Sequence, residues 1–266
     1  MFTKDYLKKQ LEEMGAPRDR VVVLHSSLRA IGETEGRGEG LLDVLIDYFT
    51  SDGGLLCIPT HTWGIDADEE GVVLDLTANK TCVGKLTEIA AGHPEALRSL
   101  HPTHSVAVFG DKEKAREYIA FDEFADTCTH PKGCFGKLFD CDGYVFLVGV
   151  GHNKNTYIHS VEEMLDVPNR LTREKITRNI RLRDGSVIQR MIHCHYAVGI
   201  GDVSKNYVKY ESAFRKHGAI TDGMLGNASV QMCNARTMKQ VVELVRKNSG
   251  GAEILADNAP LDTSWY

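Results

Sequence analysis

The chain has 266 residues, of which 42% are hydrophobic and 26% are charged, and its formal net charge is −6. This composition is typical of a folded globular protein and excludes an intrinsically disordered chain, while mild acidity without a basic stripe argues against a nucleic-acid partner. No stretch approaches the ~20 apolar residues of a membrane span, and the N-terminus carries no apolar signal-peptide core, so we expect no membrane partner.

The first predicted elements form a β–loop–α–β unit. Apolar residues at helical spacing predict a helix over residues 4–14, and the apolar run 21–24 predicts the first core strand. A glycine-rich loop follows, then a helix over 41–49 and a second strand over 55–59. Strands joined through a helix in this way run parallel, so this part of the chain predicts a parallel sheet.

The middle of the chain adds helices and strands between longer loops. A long, acid-rich surface excursion follows the second strand. Residues 83–91 and 111–120 then predict helices, and residues 105–109 predict a strand. Residues 126–143 have a loop-like composition, and the apolar run 144–148 predicts a further buried strand.

The pattern changes in the last third of the chain. Alternating apolar residues on both sides of an Asp-Gly turn predict a hairpin over residues 175–192. A helix over 205–217, a short strand over 230–233 and an amphipathic helix over 235–247 follow. We expect residues 249–266 to form a poorly structured tail.

These elements together predict an α/β fold. We expect a single three-layer α/β/α domain over residues 1–266, in which helices flank a mostly parallel central sheet. A smaller β-containing lobe is predicted as an insertion at about residues 166–233.

The strongest candidate for chemistry follows the strand over 144–148. Two glycines end this strand, and a helix is predicted to begin near Asn155 or Thr156, both good N-cap residues. Ligands in α/β proteins bind at such places, where a strand ends and a helix N-terminus begins. His159 and Glu162 lie three residues apart on this helix, so they share a face. The pair predicts a general base oriented by a carboxylate, with a surface ion pair as the alternative.

Two other segments could contact a ligand. The run Gly36-Arg37-Gly38-Glu39-Gly40 precedes a helix, where closely spaced glycines let backbone N–H groups approach phosphates. Its spacing matches neither a Walker A sequence nor the dinucleotide fingerprint, so a flexible surface turn stays open as an alternative. Ser26 and Ser27, at the end of the first strand, could donate hydrogen bonds to a ligand or cap the local backbone.

Histidines and cysteines cluster at two places, residues 128–134 and 193–195. Neither cluster has the paired spacing of a zinc site, so we predict no metal. His101 and His104 precede a strand, where one of them could bind an anionic group or pack in a turn. The seven cysteines are scattered and odd in number, and we expect reduced thiols in a cytoplasmic protein. The chain lacks GxSxG, so it shows no nucleophile elbow.

Four segments, in this order along the chain, resemble the aminoglycoside 3-N-acetyltransferase family of the non-GNAT type. They are Val-Leu-His-Ser-Ser-Leu (23–28), Ile-Pro-Thr-His-Thr-Trp (58–63), Leu-Arg-Ser-Leu-His-Pro-Thr-His-Ser-Val-Ala-Val-Phe-Gly (97–110) and Val-Gly-Val-Gly-His-Asn-Lys-Asn-Thr-Tyr-Ile-His-Ser-Val-Glu-Glu (148–163). The resemblance covers roughly residues 3–247. It implies the family's fold and transfer of an acetyl group from acetyl-CoA to the 3-amino group of a 2-deoxystreptamine aminoglycoside, and we expect a ternary-complex mechanism.

The resemblance also implies roles for individual residues. The family's catalytic histidine falls on His159 and its acidic partner on Glu162, with Thr156 as a candidate oxyanion donor. The residues expected at the coenzyme are His25, Ser26, Ser27, Leu28, Ile31, Arg37, Thr60, His101 and Ser105. His61 and His104 depart from residues common in the family.

The expected partners are acetyl-CoA and a cationic amine, and a homo-oligomer is compatible with the resemblance. Because an aminoglycoside is a polycation, we expect an acidic acceptor pocket. The candidates for it are Asp66, Asn155 and Glu163, with Asp68 and Glu69 nearby. Three alternatives stay open: acyl transfer to another amine on the same scaffold, a coenzyme A or nucleotide-binding module without turnover, and a zinc hydrolase.

Overall fold

A seven-stranded sheet forms the centre of the computed structural model, which describes all 266 residues. From one edge to the other, its strands are β4 (Leu97–Arg98), β5 (Val106–Phe109), β2 (Leu55–Pro59), β1 (Val21–Ser26), β6 (Tyr144–Val148), β10 (Ala228–Asn234) and β9 (Ile220–Leu225). The three central strands, β2, β1 and β6, pair in parallel. β5 and β10 run antiparallel to their neighbours, so β4 and β9 share the direction of the central three. Five of the seven strands therefore point the same way, as predicted.

Helices cover both faces of this sheet. They are α1 (Lys4–Glu13), α2 (Leu28–Ile31), α3 (Arg37–Thr50), α4 (Lys85–Gly92), α5 (Lys112–Ile119), α6 (Lys137–Asp140), α7 (Tyr157–Met164), α8 (Glu211–Lys216) and α9 (Ala235–Asn248). One hydrophobic core packs α1, α3 and α4 against the sheet, and a second packs α5, α7, α8 and α9 against the opposite face. The central strands are buried on both faces, which explains their continuous apolar runs and confirms the three-layer α/β/α fold.

A second sheet has three strands. The predicted hairpin forms β7 (Ile176–Arg181) and β8 (Val187–Ile192), and β3 (Val72–Asp75), from the acid-rich excursion, pairs with β7 in parallel. Within the predicted lobe at 166–233, by contrast, β9 and most of β10 belong to the central sheet. The smaller β-containing unit therefore has different boundaries from those predicted. That residues 1–266 form a single domain stays a prediction.

The glycine-rich segment is helical where a loop was expected. α3 begins at Arg37, so Gly38 and Gly40 lie in its first turn. A Cβ atom at Gly40 would lie 2.0 Å from the backbone oxygen of Glu35, and one at Gly38 would lie 2.4 Å from Cδ1 of Ile89. These two glycines therefore allow close packing of the helix, which is a structural reason for their presence.

Two further elements differ from the prediction. A 3-10 helix, Val203–Tyr210, replaces the first half of the helix expected over 205–217, and α8 follows it directly. β9 was not predicted, because it is an edge strand whose residues are mostly exposed or half-buried and which contains Asp222 and Gly223. No helix combines the length and the apolar character that crossing a membrane requires.

The C-terminal tail packs on the body of the protein. Its regular structure is a single 3-10 turn, Thr263–Trp265. Leu255 and Leu261 are nevertheless buried in the core on the side of α9, and Glu253 forms an ion pair with Arg170. The prediction of a poorly structured tail is therefore wrong: the tail has little regular secondary structure, but tertiary contacts hold it in place.

We expect Leu255→Ala to lower the free energy of unfolding by about 2–5 kcal/mol, because it leaves a cavity at a fully buried position. Urea denaturation of the purified variant measures this. The matched control is Leu182→Ala in the β7–β8 turn, where the side chain is only half-buried, and we expect a clearly smaller loss. Equal losses in the two variants would show that the tail contributes nothing specific to stability.

Candidate active site

A cavity of about 510 Å³ lies at the carboxyl ends of β1, β2 and β6. Ser26, Pro59 and Val150 mark the three strand ends on its wall, and the small sheet contributes Ile176 and Arg178. The carboxyl ends of parallel strands are the usual ligand-binding edge of an α/β sheet. This cavity is therefore the candidate active site.

His159 projects from α7 into this cavity. Its Nδ1 atom lies 2.7 Å from the hydroxyl of Tyr207, and the same hydroxyl donates a hydrogen bond to Oε2 of Glu162. A carboxylate can only accept, so Tyr207 donates its proton to Glu162 and accepts from the Nδ1–H group of His159. This arrangement places the ring proton on Nδ1 and leaves the Nε2 lone pair of His159 free.

Glu162 acts on His159 indirectly. Its Oε2 atom is 3.9 Å from Nδ1 of His159, too far for a hydrogen bond, and Tyr207 bridges the two. Glu162 is 2% exposed and forms an ion pair with Nε of Arg170, whose other nitrogens bind Glu253 at 2.7 and 3.0 Å. Burial raises the pKa of Glu162, and the guanidinium of Arg170 and the hydroxyl of Tyr207 oppose that shift. The predicted pair is thus one part of a buried network.

A second histidine stacks on the first. The rings of His195 and His159 are 3.9 Å apart and inclined by 10°. Nε2 of His195 lies 2.9 Å from the hydroxyl of Thr129, which donates to Glu163 at 2.7 Å. Burial opposes ionisation of Glu163, but hydrogen bonds from His195, Thr127 and Thr129 lower its pKa. Glu163, predicted to contact the acceptor, therefore supports His195 and does not line the cavity.

Burial holds down the pKa of three histidines in the cavity. Burial lowers the pKa of His159, and His195, Arg170 and His61 add to this shift. Burial likewise lowers the pKa of His61 and of His104, whose rings are 4.5 Å apart. Neutral imidazoles can accept a proton at neutral pH, which a general base requires.

Three side chains near His159 could coordinate a metal. The ligand atoms of His104, Cys128 and His195 lie within 4.8 Å of one another. Two imidazoles and a thiolate would suit zinc or copper. A hydrogen bond with Cys194, followed by burial, raises the pKa of Cys128, so its thiol resists becoming the thiolate that a metal needs. The absence of a metal stays a prediction.

The cavity accounts for part of the predicted site. Of the catalytic residues, His159 and Thr156 line it, and Glu162 lies behind them. Thr156 precedes α7, but its hydroxyl makes no capping bond. Asn155 also lines the cavity, whereas Asp66 is exposed and lies outside it.

Two of the nine residues expected at the coenzyme line the cavity, namely His25 and Ser26. The other seven, which do not, are Ser27, Leu28, Ile31, Arg37, Thr60, His101 and Ser105. Polar members of this group serve the local backbone: Ser27 caps α2, and His101 accepts from the N–H groups of Thr103 and His104. Arg37 is exposed at the start of α3 with a φ of 57°.

Thr60 and Ser105 belong to the same structural group. The hydroxyl of Thr60 donates to the backbone oxygen of Ser105 at 2.9 Å, and that of Ser105 donates to the backbone oxygen of Ser99 at 2.8 Å. These bonds hold β2 and the segment before β5 together, so they shape the strand ends behind the cavity.

Sequence reasoning missed Tyr207, Arg170 and the role of His195. Tyr207 lies 48 positions from His159, in a 3-10 helix, and carries no motif. In an extended segment the two imidazoles of His193-Cys194-His195 would share one face. In the structure, His193 bonds the backbone oxygen of Thr172, and His195 lines the cavity. No local signal could have identified the partners of His159.

The sequence is similar to that of known acetyltransferases. A family model described as "Aminoglycoside 3-N-acetyltransferase" matches residues 23–245. The aminoglycoside N(3')-acetyltransferase-like protein YokD of Bacillus subtilis is 24% identical over 178 residues, which span 60% of this chain and 64% of that protein. Aminoglycoside N(3)-acetyltransferase IV of Salmonella sp is 25% identical over 239 residues, 88% of this chain and 84% of that enzyme.

Solved structures support the fold. The structure of AAC-IIIb in binary complex with CoASH superposes with a TM-score of 0.75 at 19% identity, and covers 92% of this chain and 96% of that one. At this identity the likeness establishes the fold.

Proposed function

Because the chain belongs to the aminoglycoside 3-N-acetyltransferase family, we propose that it transfers the acetyl group of acetyl-CoA to an amine bound in the cavity, with His159 as the general base. One observation carries this proposal: the hydrogen-bonded series from His159 through Tyr207 to Glu162 leaves Nε2 free on a side chain that lines the cavity. The printed name of the family suggests an aminoglycoside as the acceptor.

The chemistry needs a neutral amine, because an ammonium group has no lone pair. Nε2 of His159 takes a proton from the amine as its nitrogen attacks the thioester carbonyl. The C–S bond then breaks, and the proton held at Nε2 passes to the departing sulfur of coenzyme A. Imidazolium formation is favoured by the carboxylate of Glu162, which acts through the hydroxyl of Tyr207.

The tetrahedral intermediate carries a negative oxygen that needs hydrogen-bond donors. Thr156 lines the cavity, and its hydroxyl makes no hydrogen bond within the protein, which supports its proposed role as a donor. His25 and Ser26, at the end of β1, support a coenzyme position along that wall. Direct transfer in a ternary complex requires no covalent acyl-enzyme.

The test is release of thiol from acetyl-CoA by wild-type protein, measured with and without a panel of amines that includes aminoglycosides. We expect release that depends on an amine and yields an equal amount of acetylated product. Coenzyme binding without amine-dependent release would favour a binding module, and release of acetate alone would favour a hydrolase.

We expect Tyr207→Phe to lower kcat by about 10- to 100-fold with little change in either KM, because the phenyl ring keeps the packing but no longer holds the Nδ1 proton of His159. Steady-state kinetics measure this split. Tyr210→Phe is the matched control: Tyr210 is also buried, its ring stacks on Phe214, and His159 and Glu162 have their hydroxyl partner in Tyr207. A loss of similar size in both variants would contradict a positioning role for Tyr207.

A further inference from the structure

The cavity has the wrong charge for a polycation. Asp202 is the only carboxylate among the residues that line it, and one of its oxygens already accepts from the N–H group of Ser204. Lys154 and Arg178 bring two positive charges to the lining of the cavity. Permanent positive charges therefore outnumber negative ones in the cavity.

Of the acidic residues expected to face an aminoglycoside, Asp68 is engaged elsewhere and Asp66 lies outside the cavity. Arg181, on the small sheet, binds Asp68 at 2.9 Å and Asp75 at 2.8 Å, and it also binds Glu70. Three carboxylates of the acid-rich excursion after β2 are therefore paired with Arg181, and these ion pairs help to hold β3 against β7.

The two carboxylates nearest His159 are also engaged within the protein. Glu162 pairs with Arg170, and Glu163 accepts from Thr127 and Thr129 beside His195. Histidine side chains are neutral or cationic, so those of the cavity cannot supply the missing negative charge. A bound polycation would lose water around several charges and gain Asp202 as its only carboxylate partner in the cavity, which is costly.

The cations of the cavity, by contrast, lack carboxylate partners. No acidic oxygen lies within 4 Å of the charged nitrogens of Arg178 or Lys154, and the one hydrogen bond of the Arg178 side chain goes to the backbone oxygen of Thr177 at 3.1 Å. Arg178 is on β7, close enough to Cys194 to lower the pKa of that thiol, and the next residue, His195, stacks on His159. An anion held by Arg178 would therefore lie near the base.

We infer that the acceptor is an amine that carries a phosphate, phosphonate or carboxylate group, with the anionic group bound by Arg178 and the amine directed to Nε2 of His159. This inference rests on the proposed acyl transfer and names its acceptor class. The guanidinium fork of arginine suits such groups, because it donates two parallel hydrogen bonds. The inferred acceptor therefore differs in charge from the polycations that the family name suggests.

The test compares three probes in the thiol-release assay: glucosamine 6-phosphate, glucosamine and a 2-deoxystreptamine aminoglycoside. We expect kcat/KM to be highest for the phosphate ester, about tenfold above glucosamine, as one charge-assisted contact would give. Arg178→Gln should remove this advantage through the KM of the acceptor, so that the phosphate ester and glucosamine become similar substrates. Arg183→Gln, in the exposed turn between β7 and β8, is the matched control and should behave as wild type.

Calorimetric binding of the same probes to wild type and Arg178→Gln, without acetyl-CoA, separates this inference from the proposed function. Binding of the phosphate ester that depends on Arg178, without any acetylation, would support the charge assignment and refute acyl transfer. Tighter binding or faster turnover of the aminoglycoside would overturn the inference while leaving acyl transfer intact. An increase in the KM of acetyl-CoA alone in Arg178→Gln would also overturn it, by assigning Arg178 to the coenzyme.

Discussion

His159→Ala is expected to lower the rate of acetyl transfer by a factor of order ~100 or more, while the protein still folds and binds acetyl-CoA. The alanine cannot take the proton of the amine, and no other group has the hydrogen-bonded support that Tyr207 and Glu162 provide. A 100-fold loss corresponds to about 2.7 kcal/mol of transition-state stabilisation. Thiol release measures the rate, and thermal denaturation confirms the fold.

Added imidazole distinguishes a lost base from a distorted cavity. It can occupy the space beside His195 in His159→Ala and accept the proton, so we expect part of the rate to return as its concentration rises. Near-wild-type turnover in His159→Ala would contradict the assignment of the base. The alternative to direct transfer is an acetylated Cys194, because a hydrogen bond with Cys128 lowers the pKa of the Cys194 thiol to about 7. A burst of thiol release, together with an acetylated Cys194 peptide found by mass spectrometry, would contradict direct transfer.

Arg170→Met should have the largest effect on stability, a loss of about 3–5 kcal/mol in the free energy of unfolding. The substitution leaves the carboxylate of Glu162 buried at 2% exposure with only the hydroxyl of Tyr207 as a partner. It also releases Glu253 and with it an anchor of the C-terminal tail. Urea denaturation measures the loss.

The double variant Arg170→Met/Glu162→Gln tests the cause. Because it removes the buried charge together with its partner, we expect it to recover much of the stability that Arg170→Met loses. Arg173→Met, an exposed arginine three residues away, is the matched control and should change stability by no more than about 0.5 kcal/mol. A double variant that is no more stable than Arg170→Met would show that packing, and not the unpaired charge, explains the loss.

Local patterns were enough to predict most of the scaffold. The central strands and α9 carry apolar runs or helical spacing that depend on neighbouring residues alone, and the Asp-Gly turn predicted the hairpin of β7 and β8. The same reasoning placed His159 and Glu162 on one face of a helix that follows a strand end, which is where the structure has them. Strand ends and helix starts are visible in the sequence, so the same reasoning predicted ligand contacts for residues at these places. Four of the residues so predicted line the cavity, namely His25, Ser26, Asn155 and Thr156.

The predictions that differ from the structure concern residues whose partners lie far away in the chain. The glycines at the start of α3 resembled a phosphate loop in the sequence, because the packing of Gly38 against Ile89 is a tertiary contact that the sequence does not show. The acidic excursion was expected to contribute to a pocket for a cation. Its carboxylates are bound by Arg181, which lies 113 positions after Asp68, so the sequence gives no sign of this partner. A charged side chain shows its sign in the sequence, but its availability depends on which opposite charge the fold brings to it.

The sequence by itself therefore determined the layers of the fold and the strand ends that carry the cavity, and it singled out His159 as the proposed base. Only the tertiary structure decided how that base is held, since Tyr207 and Arg170 reach Glu162 from other elements. It alone also decided the charge of the cavity, because that charge is what remains after Glu162, Glu163, Asp68 and Asp75 have found their partners. Periodicity is a local property of the chain, whereas neutralisation of a buried or half-buried charge is a property of the folded whole.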